Sequence, residues 1–160
     1  QRKLVVVGDG PEMPRLKRMC PPNVELKGWQ PDEVVKQELQ CARAFIFAAY
    51  EDFGISPVEA QASGTPVIAY GAGGSFDTVR TGFGEPGPTG LLFPEQTAQS
   101  LVGAVEAFER AGPIFDPHIC RAWSEGFSEQ RFVREFTACA EQAWAAWQHD
   151  PVSVESVLTA

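Results

Sequence analysis

The sequence predicts an α/β domain built on a doubly wound parallel sheet. Two features of the chain carry this prediction: short apolar runs without alternation recur along it, and each is followed by a glycine-bearing loop and a segment of helical pattern. Continuous apolar runs are typical of parallel strands that helices cover on both faces. Strands that alternate with helices over short loops favour a parallel sheet. The 160 residues are enough for one domain with a substantial core.

The first strand–helix unit opens with "KLVVVG" (3–8), which predicts a strand buried on both faces. The turn "GDGP" follows, and Pro11 suits the first position of a short helix. We expect this helix to carry Leu16 and Met19 inward.

The second and third units repeat this order. "NVELKGW" (23–29) predicts a strand, and Pro31 begins the helix after it. "RAFIFAAY" (43–50) predicts the next strand, followed by the helix "SPVEAQASG", which Gly64 ends.

The second half of the chain continues the pattern and then becomes helical. "TPVIAY" (65–70) and "LLFP" (91–94) predict two strands, separated by "GAGG", a short helical "SFDTVR" and a Gly/Pro-rich loop. "TAQSLVGAVEAFERA" is amphipathic at helical spacing, and two further helices are expected around 117–125 and 129–148. The result is a Rossmann-like domain over 1–148 and a tail over 149–160 that has no convincing pattern.

Composition excludes several classes of protein. Apolar residues make up 44% and charged residues 21%, which is globular, and a net charge of −8 argues against a nucleic-acid partner. The four cysteines lack paired spacing, so we expect buried thiols in a reducing compartment and no zinc site. No apolar stretch approaches the ~20 residues of a membrane span, and no signal peptide is visible. Because the chain opens directly before a strand, we expect it to be a piece of a longer protein.

The segment "YEDFGISPVEAQASG" places Glu51 and Glu59 at either end of one strand-to-helix connection. Ligands on parallel sheets bind at the carboxyl ends of the strands, so this connection should lie in the crevice. Gly54 allows a tight turn and close approach of a ligand. The amides of Phe53, Gly54, Ile55 and Ser56 lead into a helix N-terminus, which is a ready anion site.

This arrangement favours a nucleotide sugar. A phosphate would sit on the amides, while the carboxylates, which repel phosphate, would accept hydrogen bonds from sugar and ribose hydroxyls. An alternative is purely structural: Ser56 as N-cap, Pro57 as first helical residue and Glu59 at the third position form a capping box. Glu51 would then be a solvated loop carboxylate.

Several blocks together resemble a known family. "EDFGISPVE" resembles the Glu-x7-Glu signature of retaining GT-B glycosyltransferases of group 1. "LVVVGDGPEMPRLK", "NVELKGWQPDEVV", "ASGTPVIAYGAGGSFDTV", "TGLLF" and "FSEQRF" resemble further family blocks in the expected order, covering most of residues 3 to 136. Within the family, the segments "YEDFGISPVEA" and "PVIAYGAGG" are most similar to those of mannosyltransferase members.

The resemblance implies roles for individual residues. Glu51, the catalytic candidate, would contact hydroxyls of the transferred sugar, and Glu59 would hold the nucleotide ribose. No metal is implied. The remaining donor-binding candidates are the amides of Phe53, Gly54 and Ile55 for the sugar and distal phosphate, and Gly28, Trp29 and Gln30, with Val34 beneath, for the base. Two choices stay open: Trp29 as a residue that packs on the sheet edge, and Gly73 and Gly74 as turn formers or close-approach glycines.

The resemblance also implies what the whole enzyme would be. This chain would be the donor-binding half, with an upstream strand and basic phosphate clamp and an N-terminal acceptor domain outside it. The final helix, with Phe136, Trp144 and Trp147, would return toward that domain. The substrate would be a nucleoside diphosphate sugar, GDP-mannose first and UDP-glucose next, with no further cofactor. The location would be cytoplasmic, including peripheral association at the cytoplasmic face of a membrane.

Three alternatives stand beside this interpretation: a nucleotide-sugar epimerase, a non-catalytic nucleotide-binding module and a dinucleotide-dependent enzyme. The last is disfavoured because Met13 occupies the position of the third glycine in G-x-G-x-x-G.

Overall fold

A computed structural model of the chain describes residues 2–82, 84 and 86–149, so the predicted tail beyond His149 lies outside the described residues. The described strands are Leu4–Val7 (β1), Val24–Gly28 (β2), Phe45–Phe47 (β3), Val67–Tyr70 (β4) and Gly90–Phe93 (β5). The described α-helices are Met13–Met19 (α1), Asp32–Cys41 (α2), Ile55–Ala62 (α3), Ser75–Thr78 (α4), Ala98–Ala111 (α5), Pro117–Ser124 (α6) and Glu129–His149 (α7). Strand and helix alternate in the predicted order through α5.

All strand pairs among the described residues are parallel, which confirms the predicted fold class. The order β3-β4-β5 forms one sheet, with Val67 opposite both Phe45 and Gly90. β1 and β2 pair in a second sheet, with Leu4 opposite Val24. The described strands therefore form two parallel groups.

The core lies on both faces of β4. Val67 and Ala69 pack on one face with Phe47 of β3 and Ala60 of α3. Ile68, which points the other way, packs with Phe93, Phe108 of α5 and Phe115. Because successive side chains of a strand alternate between its faces, β4 is buried between α3 on one side and α5 on the other. This is the doubly wound arrangement that positions the loops after β3 and β4.

The first unit departs from prediction. β1 is not buried on both faces: Leu4 is 40% exposed and the other three residues are half-buried. Among the described strands β1 pairs only with β2, so one of its edges has no strand beside it. The prediction that Leu16 and Met19 point inward is also wrong; both are exposed, and Met13 is the buried residue of α1.

The last helix is exposed along its length. None of the described residues of α7 is buried, although the helix is 21 residues long. Phe136 is exposed, so core packing does not account for it, and Trp144 stacks on Trp147 with ring centroids 5.2 Å apart. No helix in the described part of the chain is both long enough and apolar enough to cross a membrane.

The cysteines only partly match prediction. All four are free thiols, but only Cys120 is buried, while Cys41 and Cys139 are exposed. Burial raises the pKa of the Cys120 thiol to about 11, because the charged thiolate is poorly solvated there.

Candidate donor-binding site

The connection from β3 to α3 turns at Gly54. Its backbone has φ +84° and ψ 75°, a left-handed conformation that glycine adopts without steric cost. The predicted tight turn is therefore present. A Cβ at this position would face the protein, 3.4 Å from Cγ of Pro57 and 3.7 Å from Cε1 of Phe47. Gly54 is thus needed for the turn, while the close approach of a ligand to its backbone stays a prediction.

The capping-box alternative for Glu59 is wrong. α3 begins at Ile55, with Gly54 as its N-cap, and no side chain makes a capping hydrogen bond. Ser56 is the second helical residue, and Glu59 lies beyond the first turn. The amides of Ile55 and Ser56 lack acceptors within the helix, as the first amides of every helix do. Glu59 therefore has no capping role, and these amides are available to an anion.

Both glutamates are exposed at this connection. Among the described residues, neither carboxylate has a hydrogen-bond or ion-pair partner. Residues 44–79, which include both, contain no Lys or Arg. The carboxylates can therefore accept hydrogen bonds from ligand hydroxyls, and any anion bound by this segment would rely on backbone amides.

The loop after β4 holds the Glu51 loop in place. The amide of Gly74 donates to the carbonyl oxygen of Glu51 at 2.9 Å. A Cβ on Gly73 would collide with that same carbonyl, and one on Gly74 would lie 2.5 Å from the carbonyl oxygen of Asp52. Both possibilities left open by the sequence apply: Gly73 has φ +59°, a turn conformation that favours glycine, and both glycines closely approach the backbone of residues 51–53.

Phe53 also makes an aromatic contact within the described part of the chain. Phe53 meets Phe127 edge to face at 5.9 Å, and Phe127 meets Trp123 of α6 in the same way at 5.9 Å. Arg80 lies over the Trp123 ring, 5.7 Å from its centroid. Neither Trp123 nor Phe127 was predicted as a site residue from the sequence, where the one available signal was the "FSEQRF" block that begins at Phe127.

The predicted base-binding residues lie at the carboxyl end of β2. Gly28 has φ +67°, and the side chain of Gln30 donates to the carbonyl of Lys27 at 2.8 Å. Trp29 is 75% exposed, so packing on the sheet edge does not explain it, and Val34 is half-buried in α2. No hydrogen bond between described residues joins 28–30 to 50–59. The candidates around α3 share one strand-to-helix connection, and the base-binding candidates follow β2.

A cleft of substantial size lies elsewhere. It encloses about 530 Å³ at the amino ends of β3 and β4, between Arg43, Gly64, Phe115 and Arg121. Arg121 donates to the carbonyl of Ala62 at the C-terminus of α3, where a cation is favoured by the helix dipole. This contact explains the position of Arg121 without a ligand. The size of the cleft is therefore not evidence that it is the functional site.

Comparison with known proteins identifies the family. Residues 1–109 match the model of the glycosyl transferases group 1. A 2-deoxystreptamine glucosyltransferase from Streptomyces kanamyceticus is 32% identical over 116 residues, which is 69% of this chain and 29% of that protein. An alpha-1,3/1,6-mannosyltransferase from Saccharomyces cerevisiae is 35% identical over 79 residues, 41% of this chain and 16% of that protein.

Solved structures agree on the fold. Sucrose-phosphate synthase from Thermosynechococcus elongatus superposes with a TM-score of 0.72 at 27% identity, over 90% of this chain and 39% of that one. The Anabaena protein HepE, solved with UDP and glucose, gives a TM-score of 0.62 at 23% identity, over 88% of this chain and 39% of that one. The chain therefore spans less than half the length of these relatives.

Proposed function

Since the chain belongs to the glycosyl transferases group 1 family, we propose that it is the donor-binding half of a retaining enzyme that moves a hexose from a nucleoside diphosphate to an acceptor. One observation carries the proposal: the turn at Gly54 presents free helix amides between two exposed carboxylates that have no partner among the described residues. This combination suits a ligand with an anionic centre and a hydroxylated group on each side.

In this proposal each part of the donor has its own contact. The amides from Phe53 to Ser56 receive the distal phosphate, Glu51 accepts from hydroxyls of the transferred sugar, and Glu59 accepts from the ribose. Trp29 and its neighbours receive the base, which is consistent with the exposure of that ring. The acceptor and a cationic phosphate clamp come from parts of the enzyme outside this chain.

The proposed chemistry follows from where charge develops. As the bond from the sugar to the diphosphate breaks, negative charge grows on the leaving phosphate, and donors already aimed at it stabilise the transition state. The α3 amides are such donors. Glu51 orients the sugar rather than attacking its anomeric carbon, so we favour displacement on the same face within a tight ion pair.

The transferred sugar is proposed to be mannose or glucose. The partial match to a mannosyltransferase favours mannose, and the longer match to a glucosyltransferase favours glucose. The donors proposed are GDP-mannose first and UDP-glucose next. A titration of the 160-residue chain with each donor decides between them.

The test of the function is an NMR titration of the chain with GDP, UDP, GDP-mannose, UDP-glucose and NAD. Without a basic clamp the affinity for nucleoside diphosphates should be weak, about millimolar. Shifts should centre on the amides of residues 53–56. Tightest binding of NAD, with shifts centred on residues 8–10, would instead support a dinucleotide enzyme and contradict the proposal.

A further inference from the structure

A buried glutamine lies two residues after Glu59 on α3. Gln61 is fully buried, and its side-chain amide donates to the carbonyls of Pro57 at 3.0 Å and Thr78 at 2.9 Å. Its Oε1 atom is buried and has no hydrogen-bond partner among the described residues. An unpaired buried oxygen is destabilising, so an apolar side chain of similar size would pack here without that cost. The useful part of Gln61 is therefore its donor group, which ties α3 to α4.

Thr78 continues the connection. It is fully buried, and its hydroxyl donates to the carbonyl of Gly74 at 2.9 Å. The carbonyl of Thr78 accepts from the indole of Trp123 at 3.0 Å as well as from Gln61. The Gly74 amide then donates to the carbonyl of Glu51 at 2.9 Å. A series of hydrogen bonds thus runs from the helix that carries Glu59 to the loop that carries Glu51.

We infer that Gln61 and Thr78 are positioning residues that set the distance between the two donor-binding carboxylates. The inference rests on the proposed function of Glu51 and Glu59. Neither carboxylate has a partner of its own among the described residues, so the backbone anchors set the positions from which the two side chains extend. Misplacement of a binding group by about 1 Å can lower a rate about 100-fold. A rigid anchor that holds the two carboxylates at a fixed separation would prevent such a loss.

The first test is hydrogen exchange in the Thr78→Val variant, which keeps the shape of the side chain and removes its hydroxyl. Thr65→Val is the matched control, because Thr65 is also buried and its hydroxyl donates to the carbonyl of Leu39, away from the loop. We expect the Gly74 amide to exchange about 2- to 10-fold faster in Thr78→Val than in Thr65→Val. Thr78→Ser, which restores the hydroxyl, should return the rate to that of the wild type. Equal exchange at Gly74 in the two valine variants would overturn the inference.

The second test separates positioning from simple destabilisation. The ratio of affinities for a sugar nucleotide and for its nucleoside diphosphate should fall about 2- to 10-fold in Thr78→Val and stay unchanged in Thr65→Val. Gln61→Met removes the side-chain amide at similar volume and should lower the affinity ratio by the same factor. If Thr78→Val does not fold, the ratio is measured in Gln61→Met instead. An unchanged ratio in both variants would refute positioning. If the wild type binds neither ligand, the proposed function fails, whereas the exchange rates at Gly74 still decide whether the anchor exists.

Discussion

The substitution Gly74→Ala tests how tightly the two loops of the site are packed. The backbone of Gly74 has φ −62° and ψ −10°, which alanine adopts freely, so any effect comes from the added methyl group alone. That methyl would lie 2.5 Å from the carbonyl oxygen of Asp52 and from Cα of Phe53, so the loops must separate by roughly 1 Å to reach van der Waals distance. Overpacking of this kind lowers the free energy of unfolding by about 1–3 kcal/mol. For a chain of this size, a loss of ~2 kcal/mol lowers Tm by ~4–8 °C.

Thermal unfolding of Gly74→Ala beside Gly103→Ala provides the measurement. Gly103 lies inside α5 with nothing within 4 Å of a Cβ, so alanine there should raise stability by about 0.5–1 kcal/mol. The two variants should therefore shift Tm in opposite directions. Gly74→Ala should also weaken sugar-nucleotide binding, because the displaced loop carries Glu51. A Gly74→Ala variant that melts at or above the wild-type Tm would refute the packing described here.

Three further predictions follow from other parts of the molecule. Gly54→Ala should lower stability by about 1–2 kcal/mol, because its left-handed backbone disfavours a side chain, and should weaken diphosphate binding; Gly10→Ala, with open space around it, should do neither. In native thiol labelling, Cys120 should react only on unfolding, and fast reaction of all four cysteines would contradict its burial. The hydrogen bond from Arg2 lowers the pKa of Glu109, so this stabilisation is complete above about pH 4.3, the usual glutamate pKa, and is lost as pH falls through the lowered value. In Glu109→Gln, the free energy of unfolding should therefore fall less steeply as the pH is lowered below about 4.3. The same pH dependence in the variant and the wild type would show that the Arg2–Glu109 pair does not contribute to stability.

The sequence was sufficient to predict the parallel α/β order because continuous apolar runs and glycine-bearing loops are local signals. Burial of the first unit was predicted wrongly because an apolar run shows which residues can be buried, but not whether helices cover both faces of β1. The inward face of α1 shows the same limit: Leu16 and Met19 have helical spacing, but spacing does not reveal whether anything lies opposite.

At the site, the residue types could be predicted from the sequence, but the backbone conformation and hydrogen bonds that hold them in place could not. Ser56, Pro57 and Glu59 fit a capping box by spacing, yet α3 starts earlier, at Ile55, because Gly54 takes a left-handed conformation. The hydrogen bond from Gln61 to the carbonyl of Thr78 cannot be read from a local pattern, since the two residues are 17 positions apart in the chain. The anchor of the Glu51 loop depends on such tertiary contacts and appears only in the folded structure.

The central claim is that Glu51 contacts the sugar and Glu59 the ribose, and paired glutamine substitutions test it most directly. Each charge-assisted hydrogen bond is worth about 1.5–3 kcal/mol, or roughly 10- to 100-fold in affinity. Titrations should compare a sugar nucleotide with its nucleoside diphosphate, and Glu141→Gln, an exposed position on α7, serves as control. Glu59→Gln should weaken both ligands about equally, while Glu51→Gln should weaken only the sugar nucleotide. If the two variants behave alike toward the nucleoside diphosphate, the carboxylates do not flank the donor in the proposed order.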